Sequence, residues 1–352
     1  MSASDAIPQP LGEWPPDGLE RVEHCPICGS SERNLVHRDL VDRTFFCAPG
    51  AWNLYRCGAC RSCYLDPRPT QGSIELAYRR YLTHVEADGA ARAEPGNVLG
   101  QLARALTNGY CNWRHGTRFE PASKWGIAVA LLMPLSKRGV MRHLPRLRGG
   151  GKLLDVGAGN GGYLLKVREA GWEVHGIEPD PLARAAARAK GLDVRPGGID
   201  GAMDEAGTFD FITINHVIEH VHDPREVLAR AATLLKARGS LYIETPNVES
   251  HGHRRFGRHW RGLEPPRHLV LFNWKSLERL LLQTGFERVR RVPRPRIYPS
   301  LAAKSRAIRA GRDPEAADAT FLRDRLTGAM LDAIAIADSR RSEFITVVAT
   351  KP

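Results

Sequence analysis

The chain has 352 residues, of which 42% are hydrophobic and 26% charged, and its formal net charge is +12. That length accommodates one large domain with a smaller one. No segment reaches the ~18 to 20 apolar residues that span a bilayer, and Met1 to Asp17 is polar and proline-rich, with no apolar core before a cleavage site. A cytosolic chain is therefore expected. The basic balance suits a polyanionic partner, but the arginines are scattered along helices (Arg184, Arg188, Arg230, Arg238) rather than gathered in one block.

The first element in chain order is a cysteine framework. Cys25 and Cys28 form one C-x-x-C knuckle and Cys57 and Cys60 a second, with twenty-eight residues between them. Each knuckle aims two thiolates at one ion, and two knuckles complete a closed tetrahedral site, the arrangement of a structural zinc. Disulfides are the poorer explanation in a cytosolic chain. Cys60 and Cys63 make another legal knuckle, and Cys47 reads as a spare. β-like pieces such as Trp52 to Tyr55 fill the interval, so residues 20–70 are expected to form a small zinc ribbon.

Residues 71–149 read as a mixed linker. Gly89 to Gly96 is a break, and Leu99 to Leu106 and Trp125 to Leu147 have helical character, the latter interrupted at Pro134 and Pro145. Trp125 to Leu135 is the longest apolar run. It is too short to span a membrane and reads as a buried helix, with peripheral membrane docking as its other use.

A third region, residues 150–352, carries alternating strand and helix signals. Lys152 to Val156 is a short apolar strand holding Asp155, followed by Gly157, Gly159, Gly161 and Gly162, and then a helix from Tyr163. Glycine there permits unusual φ angles and close approach of a ligand to the backbone. A second strand, Glu173 to Ile177, ends in Glu178-Pro179-Asp180, where an acidic residue meets ribose hydroxyls in nucleotide-binding βαβ units. At this point the glycine pattern leaves NAD and S-adenosylmethionine both open. Phe209 to Ile214 is the next strand, running into Asn215-His216-Val217-Ile218-Glu219-His220. Asp223-Pro224 starts a helix expected to reach Ala237, and Ser240 to Asn247 is a further strand. His251 to Arg261 reads as a basic loop and is a candidate anion site. Leu301 to Ala337 is a helical insertion, at about 299–338, before a final strand at Glu343 to Thr350.

Taken together, LDVGAGNGGYL, GIEPD, FDFITINHVIEHVHDP and LLKARGSLYIETPN resemble, in order and spacing, the motifs of class I S-adenosylmethionine-dependent methyltransferases. The resemblance covers roughly residues 150 to 290 and implies an α/β, Rossmann-like fold with a seven-stranded sheet whose last strand is antiparallel. The ribbon, with Tyr64-Leu65-Asp66-Pro67-Arg68-Pro69 and Tyr78 to Tyr81, is similar to the zinc-ribbon leader of bacterial methyltransferases of sugar, polysaccharide and secondary-metabolite pathways. In such a family the helices ahead of the first strand would form a lid. The resemblance implies that Gly157, Ala158, Gly159 and Gly161 contact the methionine portion of the cofactor and Asp155 its amino group. Glu178 and Pro179 would meet the ribose, Gly198 and Ile199 the adenine, and Asn215 and His216 the methyl-transfer face.

A hydroxyl or carbon acceptor needs proton removal, for which histidine is suited. His268, His220 and His216 are the candidates, and the Glu219-His220 pair resembles a recurring motif of ubiquinone-pathway O-methyltransferases. His222 is expected to face solvent. The acceptor expected is a small molecule, sugar or lipid-linked glycan. RNA methylation is the alternative, suited by the ribbon and the positive charge but lacking the tetrad typical of exocyclic-amine methylases, since Asn215-His216-Val217-Ile218 stands there.

Overall fold

The computed structural model describes residues 12–78, 98–132, 141–147, 149–317 and 320–352. The expected break at Gly89 to Gly96, Tyr81, and residues 133–140 of the expected second linker helix lie outside these. The N-terminal part contributes β1 (Leu19–Glu20), β2 (Arg33–Leu40), β3 (Trp52–Cys57), β4 (Cys63–Leu65) and β5 (Arg68–Pro69). Two helices follow, α1 (Val98–His115) and α2 (Trp125–Leu132). The first is longer than the expected Leu99 to Leu106. The second does not extend to Leu147: Met141 to Leu144 is a turn, with Arg142 and His143 at positive φ. Trp125 stands 76% exposed, so its end of the apolar run is not core.

The larger unit runs β6 (Lys152–Val156), α3 (Gly162–Glu169), β7 (Glu173–Glu178), α4 (Pro181–Ala189), β8 (Asp193–Pro196), β9 (Phe209–Asn215), α5 (Pro224–Leu234), β10 (Leu235–Pro246), α6 (His251–Phe256), β11 (Val270–Leu271), α7 (Trp274–Gln283), β12 (Glu287–Arg291), α8 (Tyr298–Arg309), α9 (Leu322–Ala337) and β13 (Phe344–Thr350). Seven of these strands form one sheet in the order β12-β13-β10-β9-β6-β7-β8. Strands β8, β7, β6, β9 and β10 are mutually parallel, and β13 is antiparallel to both its neighbours. This is the expected Rossmann-like sheet with an antiparallel last strand. Its central strands are buried on both faces, which is why Leu153, Leu154, Phe211, Ile212 and Ile214 read as continuous apolar runs rather than alternating ones.

Local signals set the helix starts. Asp180 and Asp223 accept backbone N–H groups at the heads of α4 and α5, each with proline next, and Asn273 and Ser276 form a capping box on α7. Two expectations change. Helix α5 stops at Leu234, not Ala237, because Leu235 already pairs with Phe209, and a bulge carries the strand to the next pairing of Ser240 with Phe211. The basic loop at His251 begins as helix α6, since the Ser250 hydroxyl accepts the His253 N–H.

The ribbon is not a free-standing bead. Strand β4 pairs with β11 from the larger unit, giving a four-stranded sheet β11-β4-β3-β2. Arg267, fully buried just ahead of β11, donates two hydrogen bonds to Asp42 (2.6 and 3.0 Å), one to the Ala77 carbonyl (2.9 Å) and one to Glu264 (3.0 Å). One guanidinium thereby joins the ribbon, the chain leaving it and the loop before β11.

Candidate functional site

At the C-terminal edge of the sheet, the turn after β6 folds back on β7: the Gly157 and Ala158 N–H groups both donate to the Ile177 carbonyl (2.8 and 3.0 Å). Gly157, Gly159 and Gly161 all lie at positive φ. At Gly157 the need is also steric, because a Cβ there would come within 2.4 Å of the Val217 side chain. Glu178 is buried at the end of β7; its carboxylate accepts the Gly159 N–H (2.7 Å) and the Asp180 N–H (2.9 Å), pinning the turn to the second strand. Burial raises its pKa despite those donors. Pro179 beside it is exposed, while Ile199 is buried after the extended Gly198.

Asp155 is buried. One carboxylate oxygen accepts from Thr213 (2.5 Å) and from Arg142 (2.6 Å); the other is buried without a hydrogen-bond partner among the described residues. An orphaned acceptor oxygen beside a glycine turn fits a donor group brought by a ligand, as the amino group of S-adenosylmethionine would be. Arg142, which also lies over the Tyr163 ring at 3.9 Å, was not legible in the sequence: it falls within a stretch that reads as helix, and nothing in its spacing points to Asp155.

Asn215 closes β9 and His216 follows at φ 54. The His216 ring sits between Glu219 (3.3 Å) and Glu244 (3.4 Å), edge-on to Phe344. Burial opposes its charge, but the two carboxylates outweigh that and hold its pKa up at about 9, while Glu219 and Glu244 are held down to about 2. His216 is thus a cation at neutral pH, and its proton is not readily exchanged for one from an acceptor. This cluster ties the strand ends to stability. The carboxylate contribution is present above pH ~4.5 and lost as pH falls toward about 2; the His216 contribution is present below pH ~6.5 and lost as pH rises through about 9. An NMR titration of the His216 ring is expected to show a midpoint near 9, with thermal stability declining between pH ~6.5 and 9. A midpoint near the ordinary ~6.5 would overturn this assignment.

The other two histidines meet on the facing side. Their rings are 4.7 Å apart and edge-on. His268 is buried in the loop before β11, with Nδ1 against the Gly262 carbonyl (2.9 Å); burial pushes its pKa down to about 4. His220 is half-buried, and its Nδ1 faces the Arg267 carbonyl (3.1 Å) and the Tyr78 hydroxyl (2.9 Å). A carbonyl only accepts, so Nδ1 of each ring carries the proton and Nε2 is left as the basic nitrogen. Burial lowers the His220 pKa as well, so both rings are neutral at pH 7. Glu219, His220 and His268 bring ligand-capable atoms within 4.8 Å of one another, but Glu219 is already engaged by Thr245 and His216. The role of Arg267, as a tether for His220, gave no signal in the sequence. His222 does not simply face solvent; its ring is bonded to the Pro69 carbonyl (2.9 Å).

In the ribbon, Cys25, Cys28, Cys57 and Cys60 converge, all four sulfurs within 4.8 Å of one another, with Cys25–Cys60 at 3.6 Å and Cys28–Cys57 at 3.5 Å. Thiolates ~2.3 Å from a tetrahedral zinc are separated by about 3.8 Å, so the donor set fits. Cys63 lies in β4, pairing across to Leu271, and Cys47 packs against Asp42 and the Ala77 carbonyl, so neither belongs to the cluster. The larger unit holds both knuckles: Arg225 donates to the Ile27 carbonyl (3.0 Å) and Asn273 to that of Cys60 (2.8 Å).

Three arginines and one histidine of the stretch from His251 to Arg261 are engaged within the protein, whereas Arg254 is exposed and the His259 Nδ1 is buried without a partner among the described residues. Arg255 binds Tyr298 and Asp324, Arg258 the carbonyls of Arg38 and Asp39, and Arg261 the carboxylates of Glu264 and Glu315. His253 is bonded to the Val248 carbonyl and to His37.

Compared with known proteins, residues 132–291 match the family model of a methyltransferase domain. The ubiquinone biosynthesis O-methyltransferase of Xanthomonas oryzae pv. oryzae (strain PXO99A) is 34% identical over 105 residues, 28% of this chain and 44% of that protein. The protein of the same name from Cronobacter sakazakii is 32% identical over 143 residues, 37% of this chain and 59% of that one. The chain thus spans about half the length of the curated relatives it matches. Among solved structures, an S-adenosylmethionine-dependent methyltransferase from Thermotoga maritima, described as a possible histamine N-methyltransferase, is 18% identical, covering 65% of this chain and 93% of that one at a TM-score of 0.41.

Proposed function

We propose that this chain, whose residues 132–291 match the model of a methyltransferase domain, is a class I S-adenosylmethionine-dependent methyltransferase that moves a methyl group to a hydroxyl of a small-molecule acceptor. S-adenosylmethionine supplies the methyl on a sulfonium that a nucleophile attacks in line. The turn Gly157-Ala158-Gly159, with Gly161 behind it, lets the backbone approach the methionine portion, and the free oxygen of Asp155 accepts from its amino group. Glu178 takes the ribose hydroxyls, with Pro179 alongside, and Gly198 and Ile199 border the adenine. Asn215 lines the methyl-transfer face. His216, kept cationic by Glu219 and Glu244, positions the end of β9 rather than removing a proton.

The observation that carries the proton-transfer assignment is the state of His220. Its Nδ1 proton is committed to the Arg267 carbonyl, so its Nε2 is a neutral base in a half-buried position, with Tyr78 and His268 fixing the ring. A base in this state takes the hydroxyl proton as the oxygen attacks. The choice of oxygen as nucleophile is supported by the names of the relatives, which are O-methyltransferases. Cys25, Cys28, Cys57 and Cys60 would hold a zinc ion with all its positions taken by thiolates, so it would hold the ribbon rather than enter the chemistry.

The test is methyl transfer from labelled S-adenosylmethionine into a host extract, with and without nuclease, followed by identification of the labelled compound. Label in small, nuclease-resistant material is expected. With that compound as acceptor, His220→Asn is expected to lower turnover by roughly 10²- to 10⁴-fold while leaving cofactor affinity and melting temperature unchanged. Nuclease-sensitive label, or turnover indifferent to the substitution, would overturn the reading.

A further inference from the structure

Helix α9 carries a second apolar stripe on the face turned away from the core. Leu322, Leu326, Met330 and Ile334 recur at every fourth position, so they share one face, and they stand 72%, 64%, 53% and 43% exposed. The inward face packs Leu331 into the core and otherwise holds polar and small residues. Asp324 is fully buried against Arg255 and Arg306. Gly328 lies so close to Pro299 of α8 that a Cβ would come within 2.9 Å of it. Asp332 accepts the Arg296 N–H (2.9 Å). The two acids of the helix are thus engaged by the protein, while Arg323 and Arg325 are exposed beside the apolar stripe, next to the exposed Phe321.

We propose that this face of α9 docks the protein on the surface of an anionic lipid bilayer, with the helix lying in the interface plane. An apolar stripe flanked by arginines and free of outward acids is complementary to acyl chains beneath negatively charged headgroups. A second copy of the chain is a poorer fit: a twofold interface sets the patch against itself, bringing arginines together with no outward acid to pair them. No described helix is long and apolar enough to cross a membrane, so the contact is peripheral. The stripe is also linked to the methyl-transfer face. The segment after α9 is held by Asn247, which donates to the carbonyls of Arg340 and Ser342 (2.9 and 2.8 Å), and it leads directly to Phe344, the ring packed on His216. The docking inference stands on the helix alone and does not depend on the identity of the acceptor.

The experiment is co-sedimentation of the full chain with vesicles of phosphatidylcholine alone and of phosphatidylcholine mixed with phosphatidylglycerol. Binding to the anionic vesicles is expected to exceed that to the neutral ones. L326E/M330E is expected to weaken it by roughly tenfold or more, with S-adenosylmethionine affinity and melting temperature unchanged, and L326S/M330S serves the same purpose if the charged pair impairs folding. R323E/R325E is expected to abolish the preference for anionic vesicles. Absence of binding to anionic vesicles, binding indifferent to both stripe variants, or a dimer in solution that these variants dissociate would overturn the proposal, the last by showing that a second copy covers the face.

Discussion

Replacing Arg267 by methionine is expected to destabilise the chain by about 3–5 kcal/mol, the cost of removing one partner from a buried ion pair. The side chain has no exposed surface, and its guanidinium answers Asp42, Glu264 and the Ala77 carbonyl together. Its loss would leave the Asp42 carboxylate, 6% exposed, without its cation. Methionine matches much of the volume but supplies no donor, so the penalty is electrostatic rather than a cavity. Denaturant unfolding measures it, and a loss under ~1 kcal/mol would show the pair to be dispensable. Asp42→Asn combined with Arg267→Met should cost less than the sum of the single changes, because each alone strands the other group. Turnover should fall as well, because the buried side chain anchors the stretch of backbone whose carbonyl holds the His220 ring.

Loss of the zinc proposed for the four-cysteine cluster is expected to have the second large effect. Structural zinc in small Cys-rich modules contributes apparent free energies of about 10–16 kcal/mol at neutral pH. The knuckles are also held from the larger unit, by Arg225 and Asn273, but within the segment itself the four thiols and short strands supply most of the local order. Metal analysis is expected to find about one zinc per chain, lost in Cys25→Ser. The consequence should travel. Strand β4 pairs with β11, and the Leu65 N–H donates to the Leu269 carbonyl (3.1 Å), one residue from His268. Hydrogen exchange is therefore expected to rise in residues 262–273 as well as in the ribbon when zinc is lost. A folded, metal-free chain with unchanged protection would remove both the zinc assignment and this coupling.

These predictions mark where sequence and tertiary structure divide the account. The glycine turn after Asp155, the acid at Glu178, the helix caps at Asp180 and Asp223 and the paired C-x-x-C knuckles were all legible, because each is a local device. Its chemistry is set by residues a few positions apart and by backbone geometry that recurs wherever those residues occur. The order of those devices also carried the sheet, through the family resemblance that their order and spacing support. Local periodicity failed where a strand partner took over, as at Leu235, and where a cap turned an expected loop into helix, as at Ser250.

The state of the site was a different matter. Whether a histidine is a base, a cation or a packing residue depends on groups distant in sequence: Glu244 for His216, Tyr78 and Arg267 for His220, Gly262 for His268. Arg142 reached Asp155, and Arg267 reached Asp42, only through the folded chain. Burial and hydrogen bonding shift pKa values according to what surrounds a group in space, and spacing along the chain does not encode that. The sequence by itself determined the local devices, the glycine turn, the acid after it and the paired thiol knuckles. Only the tertiary structure decided which protons sit where, and that the ribbon and the larger unit share one core.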